Sequence, residues 1–204
     1  MQEFVQNMKV LKGFYVLEGI DGAGTTTQAQ RLARHLSKTG PTWFTFEPTE
    51  SRIGKLIRDS LHGPLYDTRS MACLYAVDRS DHVFGKYGIE EQCSRNHQVV
   101  CDRYIFSSLA YQGYPSLFDY VCTLNAHFPL PEILFFLDTP LSVASERLYT
   151  RPRLDRFEQP EFQESVVTAY RAVLDLPWPS SMCVVRIDGD QSPDKVFDDI
   201  RRYF

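Results

Sequence analysis

Short apolar runs alternate with longer amphipathic stretches along the chain, and this alternation predicts the fold. Runs rich in Val, Leu, Ile and Phe predict strands at 14–17, 42–46, 98–102, 133–138 and 183–187. The stretches between them repeat apolar residues every three or four positions. They predict helices at 26–39, 53–61, 70–91, 105–112, 117–127, 141–149, 162–174 and 193–203. Thr139-Pro140 and Ser192-Pro193 each place a capping residue before a proline at a first helical position. Strand–helix alternation of this kind implies an α/β fold, a parallel five-stranded sheet with helices on both faces in three α/β/α layers. Residues 1–12 read as a short leader before the first strand. No repeat, low-complexity stretch or long linker divides the chain, so one domain is expected over 1–204.

The first predicted strand runs into Gly19-Ile20-Asp21-Gly22-Ala23-Gly24-Thr25-Thr26-Thr27, and a predicted helix leaves it. The spacing is that of the phosphate-binding G-x-x-x-x-G-K-S/T loop, with Thr25 standing where the lysine belongs. Glycines let backbone N–H groups turn toward an anion, and the helix N-terminus adds partial positive charge. Thr26 occupies the hydroxyl position that ligates Mg²⁺ in such loops. These features imply a P-loop NTPase-type fold and a nucleoside triphosphate as ligand.

Ligands of open parallel sheets lie beyond the carboxyl ends of the strands. That rule makes Glu47-Pro48-Thr49 and Asp102-Arg103-Tyr104 converge on the glycine-rich loop. Asp102 is placed to act on Mg²⁺, directly or through water, and Arg103 to hold a phosphate with two hydrogen bonds. A helix-start carboxylate in a structural ion pair would show the same residues. Ser107, Tyr111 and Gln112 fall near one helical face, which suits a flat heterocycle with hydrogen-bonding edges or, more simply, a polar surface.

The segment Asp102-Arg103-Tyr104-Ile105-Phe106-Ser107-Ser108-Leu109-Ala110-Tyr111-Gln112 resembles the D-R-Y-x-x-S-x-x-A-Y-Q signature of thymidylate kinases. Glu18 to Gln28 is similar to that family's E-G-x-D-G-x-G-K-S/T-T-Q loop, apart from Thr25. Glu47-Pro48-Thr49 with Ile53-Gly54-Lys55-Leu56-Ile57-Arg58 resembles its E-P-T segment, and Leu74 to Arg79 its F-A-A-D-R helix. Phe135 to Asp138, then Arg147, Arg151 and Arg153, then Asp155-Arg156-Phe157-Glu158 resemble its later strand and arginine-bearing lid, here 147–158.

The resemblance implies transfer of the γ-phosphoryl group of ATP to dTMP, with Mg²⁺, giving dTDP. It implies that Asp21 holds the sugar 3′-hydroxyl and orients Arg103, which grips the acceptor phosphate. Arg79 would reach the thymine edge, with Glu47 and Pro48 beside it. Tyr75 or a neighbouring ring such as Phe46 would stack on the base. Tyr111 would crowd the 2′ position, and Ser107 and Gln112 would complete the base contacts. Residues 19–27 would hold ATP, and Thr26 and Asp102 would organise the metal. The lid arginines match the form of the family that carries its cation there, so Arg151 or Arg153 is expected to replace the missing lysine. A homodimer through the helix at 70–91 is implied by the same analogy.

Composition narrows the partners. The chain has 204 residues and a net charge of −4, which argues against a nucleic-acid duplex. No apolar run approaches the ~20 residues of a membrane span. Five cysteines without a C-x-x-C pair suit reduced, mostly buried thiols and a cytoplasmic protein. The five histidines are expected on helical surfaces or in loops; phosphoryl transfer needs no strong base, so none is assigned a role. Two other readings share the fold: a nucleotide-binding pseudokinase disabled at Thr25, and a deoxynucleoside kinase acting on a 5′-hydroxyl. Arg79 and Arg103 favour an acceptor that already carries phosphate.

Overall fold

The computed structural model describes residues 5–6, 8–62, 66–149 and 160–204. Its centre is a parallel sheet in the order β2-β3-β1-β4-β5, built from β1 (Val10–Glu18), β2 (Thr42–Phe46), β3 (Gln98–Asp102), β4 (Leu130–Asp138) and β5 (Cys183–Asp188). Phe14, Val16 and Leu17 of β1 are fully buried, as are Val99, Val100 and Cys101 of β3. Both strands are covered on two faces, which is why they read as continuous apolar runs rather than alternating ones. The sheet therefore has the predicted strands, several with longer ends. β1 starts within the expected leader, because Val10 and Leu11 pair with Leu130 and Pro131. The register shifts between Leu11 and Tyr15, where Gly13 adopts φ 77° and its N–H donates to Glu132 at 2.6 Å.

Helices cover the sheet: α1 (Thr25–Leu36), α2 (Arg52–His62), α3 (Thr68–Phe84), α4 (Ile89–Ser94), α5 (Ile105–Ser108), α6 (Phe118–Asn125), α7 (Leu141–Tyr149), α8 (Pro160–Leu174) and α9 (Pro193–Ile200). Two predictions need correction. The helix expected over 70–91 is two helices, since the chain turns at Gly85 and Gly88. A Cβ at Gly85 would lie 2.3 Å from the Asp81 carbonyl oxygen, so only glycine fits there. The helix expected over 105–112 passes from α5 into a π-helical turn at Leu109–Gly113, a distortion frequent at functional sites. α3 is capped by Asp67, whose carboxylate accepts from Arg69 and Ser70 N–H. Ser192 caps α9 as expected; the Thr139 hydroxyl instead reaches the Ala23 carbonyl at 3.5 Å.

The cysteines form no disulfide; against the expected mostly buried thiols, only Cys101 and Cys122 are buried, Cys73 and Cys93 are half-buried, and Cys183 is exposed at the start of an edge strand. No helix among the described residues is long and apolar enough to cross a membrane.

Strand order positions the site. β3 lies between β1 and β2, so three adjacent carboxyl ends stop at one level. Asp102 is opposite Leu17 on one side and Phe46 on the other. The next backbone hydrogen bonds, Arg103 N–H to Leu17 and Glu47 N–H to Asp102, keep Glu18, Glu47 and Arg103 side by side.

Candidate active site

Two clefts open above these strand ends, and both are lined by Asp21 and Arg103. The first, a cavity of about 110 Å³, is also lined by Glu47, Pro48, Tyr75, Arg79, Ser107, Tyr111 and Gln112. The second, a cavity of about 350 Å³, is lined by Gly22, Gly24, Thr25, Thr26, Thr27 and Arg147.

The second cleft is made mostly of backbone. Gly22 (φ 84°) and Gly24 (φ 95°) take left-handed conformations that favour glycine. A Cβ on Gly22 would meet the Ala144 carbonyl oxygen at 2.3 Å. Gly24 caps α1 without a side-chain hydrogen bond, and no acidic residue occupies the first turn. The positive end of that helix therefore stays available for an anion. Arg147 of α7 donates to the outward-facing carbonyls of Gly22 and Ala23, at 3.4 Å each, and to Gly189 at 3.2 Å. Arg147, grouped in sequence with the lid arginines, here braces the loop. Thr25 is almost fully buried beside this cleft. The Thr26 hydroxyl donates to Asp102 Oδ2, while the buried Asp102 Oδ1 has no hydrogen-bond partner among the described residues. A hydroxyl and an orphaned carboxylate oxygen are the hard oxygen donors that suit Mg²⁺, so the residues present fit that ion.

The first cleft is made of side chains held by other side chains. Arg103 has φ 68°, an uncommon conformation for a non-glycine residue. Its guanidinium donates to Asp21 Oδ1 at 2.5 Å, to the Gly19 carbonyl at 3.0 Å and to the Ser107 hydroxyl at 3.2 Å. Asp21 Oδ2 accepts from the Tyr111 hydroxyl and the Gln163 amide, both at 2.8 Å. Behind them the fully buried Glu18 accepts from Tyr104 N–H (2.8 Å), Ser107 N–H (3.1 Å), the Ser107 hydroxyl (2.6 Å) and the Tyr170 hydroxyl (2.8 Å). Burial pushes the Glu18 carboxyl above its ordinary range, and the Arg103 charge with these hydrogen bonds offsets only part of that. Burial also pushes Tyr111 and Tyr170 well up, which keeps both as O–H donors.

Arg79 is 1% exposed and forms an ion pair with Glu47 at 2.7 Å. It also donates to Ser108 at 3.0 Å and to Asn125, with its guanidinium 5.2 Å from the Tyr104 ring centre. Asp78 accepts from Thr49 N–H and from the hydroxyls of Thr49 and Ser51, which ties the loop after β2 to α3.

Of the residues singled out from sequence, those at 21, 22, 24–27, 47, 48, 75, 79, 103, 107, 111 and 112 line these two clefts. Gly19 is not among the lining residues, Ile20 and Ala23 are buried in the core, and Asp102 reaches the second cleft through its contact with Thr26. Phe46 is not among the lining residues; its ring lies 6.1 Å from that of Phe44. Arg151 and Arg153, with most of the 147–158 lid, lie outside the described residues. Sequence reading passed over Glu18 as a buried hub, together with Gln163 and Tyr170, which reach the site from α8. Their separation from Asp21 and Glu18 by 142 and 152 positions left no local signal.

The thymidylate kinase family model matches residues 17–200. A protein of Treponema pallidum (strain Nichols) bearing a thymidylate kinase name is 40% identical over 168 residues, 81% of each chain. One of Methanococcus maripaludis (strain C6 / ATCC BAA-1332), similarly named, is 36% identical over 194 residues, 92% of each chain. The solved thymidylate kinase of Candida albicans superposes with a TM-score of 0.78 over 93% of this chain and 89% of its own, at 22% identity. That likeness is of fold: a five-stranded parallel sheet of the P-loop NTPase type.

Proposed function

From the premise that this chain belongs to the thymidylate kinase family, we propose that it transfers the γ-phosphoryl group of ATP to dTMP, giving dTDP and ADP. A dTMP phosphate oxygen forms the new bond to the γ-phosphorus, and the bond to the bridging oxygen of ADP breaks. The observation that carries this reading is the sharing of Asp21 and Arg103 by the two clefts. One guanidinium stands where two phosphate-bearing ligands would meet, held from behind by a carboxylate and a carbonyl.

In this reading the glycine-rich loop (Gly19, Ile20, Asp21, Gly22, Ala23, Gly24, Thr25, Thr26, Thr27) holds ATP through backbone N–H groups. Arg103 grips the acceptor phosphate, and Asp21 receives the 3′-hydroxyl. Arg79 and Gln112 face the base edge, Tyr75 stacks on the base, and Tyr111 excludes a 2′-hydroxyl. Thr26 and Asp102 hold Mg²⁺, which when bound neutralises charge on the transferring phosphates. The chain's own contribution is alignment of two anions and fixed positive charge where charge spreads during transfer. Lacking the loop lysine, the protein takes that charge from Arg151 or Arg153 of the 147–158 lid. One kinase domain, a cytoplasmic location and a homodimer belong to the same reading. Val77 and Phe84, exposed on α3, support the dimer, and sedimentation velocity tests it.

A coupled assay with ATP, Mg²⁺ and dTMP tests the activity. Diphosphate formation from dTMP and not from thymidine is expected. Absence of turnover, with dTMP still bound, would leave the pseudokinase reading; turnover of thymidine would move the chemistry to a 5′-hydroxyl.

A further inference from the structure

The histidines were expected at surfaces, and His82 is not. It sits on α3 with its side chain 4% exposed, against three same-face residues of β2 and its extension. Trp43 presents its ring at 5.7 Å and 77°; the Thr45 hydroxyl lies 2.6 Å from Nε2; Glu47 Oε1 lies 3.0 Å from Nδ1. Residues 43, 45 and 47 alternate along one face of an extended chain, so a single imidazole spans them.

The hydrogen-bond directions follow from chemistry. Glu47 is ion-paired with Arg79 and is a carboxylate, which only accepts, so His82 Nδ1 carries the proton and donates. In the neutral ring Nε2 then accepts from the Thr45 hydroxyl. The result is a buried chain, Thr45 to His82 to Glu47 to Arg79, ending in the first cleft, whose lining includes Glu47 and Arg79 but not His82.

Glu47 needs this support. Its Oε2 is occupied by Arg79 Nε at 2.8 Å and Nη2 at 2.7 Å, whereas Oε1 has His82 as its hydrogen-bond partner among the described residues. A buried carboxylate oxygen left unpaired is costly, and the carboxylate would turn toward solvent through the cleft. Arg79 would then lose the carboxylate oxygen that both its Nε and Nη2 contact.

We propose that His82 is a positioning residue for the acceptor: by clamping Glu47 it holds Arg79 in place before any ligand arrives. This rests on the reading of the first cleft as the thymidine nucleotide site.

Titration calorimetry with dTMP and steady-state kinetics on H82F, H82N and T45V test it. H82F is expected to raise the Kd and KM for dTMP about 10-fold, as for loss of a hydrogen bond to a charged group. KM for ATP should stay unchanged and kcat should fall less than KM rises. H82N, whose amide can donate from about the height of Nδ1, should recover most of the affinity. T45V, which removes only the hydroxyl, should weaken dTMP about 3-fold. Unchanged dTMP affinity in H82F overturns the proposal, as does a parallel rise in KM for both nucleotides. If H82F does not fold, T45V decides alone: unchanged affinity overturns the proposal and weakened affinity supports it. Wild-type protein that binds no dTMP overturns the reading of the cleft itself, a result distinct from wild-type binding with unaffected variants.

Discussion

The two clefts are built from opposite materials. The cradle over Gly22–Thr27 is shaped by backbone, through two glycines with positive φ and the open end of α1. The cleft beside it is shaped by side chains that grip one another: Arg103 by Asp21, Asp21 by Tyr111 and Gln163, Arg79 by Glu47, Ser108 and Asn125. A backbone site needs few particular side chains and recognises charge; a side-chain site can recognise shape and hydrogen-bonding edges. On the proposed reading, the cradle functions with Thr25 in place of a lysine because its main donors are N–H groups that any residue but proline supplies, and the charge comes from Arg151 or Arg153. No such substitution is open to Arg103, whose guanidinium makes three kinds of contact at once.

The sharpest challenge to this contrast is R103A, because Arg103 belongs to both clefts. A fall in kcat/KM of about 10²–10³ is expected, with weaker dTMP binding by calorimetry; a change confined to KM for ATP would show that the residue serves the donor alone. Next in size is G22A. The left-handed φ costs a non-glycine residue about 1–3 kcal/mol, and the contact with Ala144 adds to that. A lower melting temperature and weakened ATP binding are expected, with dTMP affinity retained. Equal loss of both nucleotides would erase the distinction between the clefts. Y111F removes one hydroxyl from Asp21 and should raise KM for dTMP about 5-fold, the effect of one ordinary hydrogen bond. An unchanged KM would mean that Gln163 alone holds that oxygen. T25K should have the smallest effect, with turnover holding or rising by no more than about 10-fold. A collapse would show that another cation already fills the space beside the loop.

Legibility from sequence divides along the same line. The cradle could be read directly, because glycine spacing, a preceding apolar run and a following helix lie within about twenty residues and each constrains its own backbone. Asp102-Arg103-Tyr104 was legible as a strand end for the same reason. The side-chain cleft was legible only in part. Arg79 stood out by resemblance to a family pattern and Tyr111 by helical spacing as well, but Glu18, just past the predicted strand at 14–17, reads in sequence only as the first residue of the loop segment. His82 is indistinguishable there from a histidine on a helix surface. The helix break was missed because the apolar periodicity runs on past Gly85 and Gly88, where a Cβ would strike the preceding helix's carbonyl oxygens.

Sequence by itself determined where the strands and most helices lie, where the backbone can turn around an anion, and which acidic and basic residues end the strands. These depend on φ, ψ preferences and on periodicities that act over a few residues. Only the tertiary structure decided the partners: Glu47 with Arg79 and His82, Asp21 with Tyr111 and Gln163, Glu18 with Tyr170. Those pairings arise because β3 inserts between β1 and β2 and α8 returns over their ends. A buried charge takes whichever counter-charge the strand order brings within about 3 Å, and that choice is not encoded in either residue's neighbours.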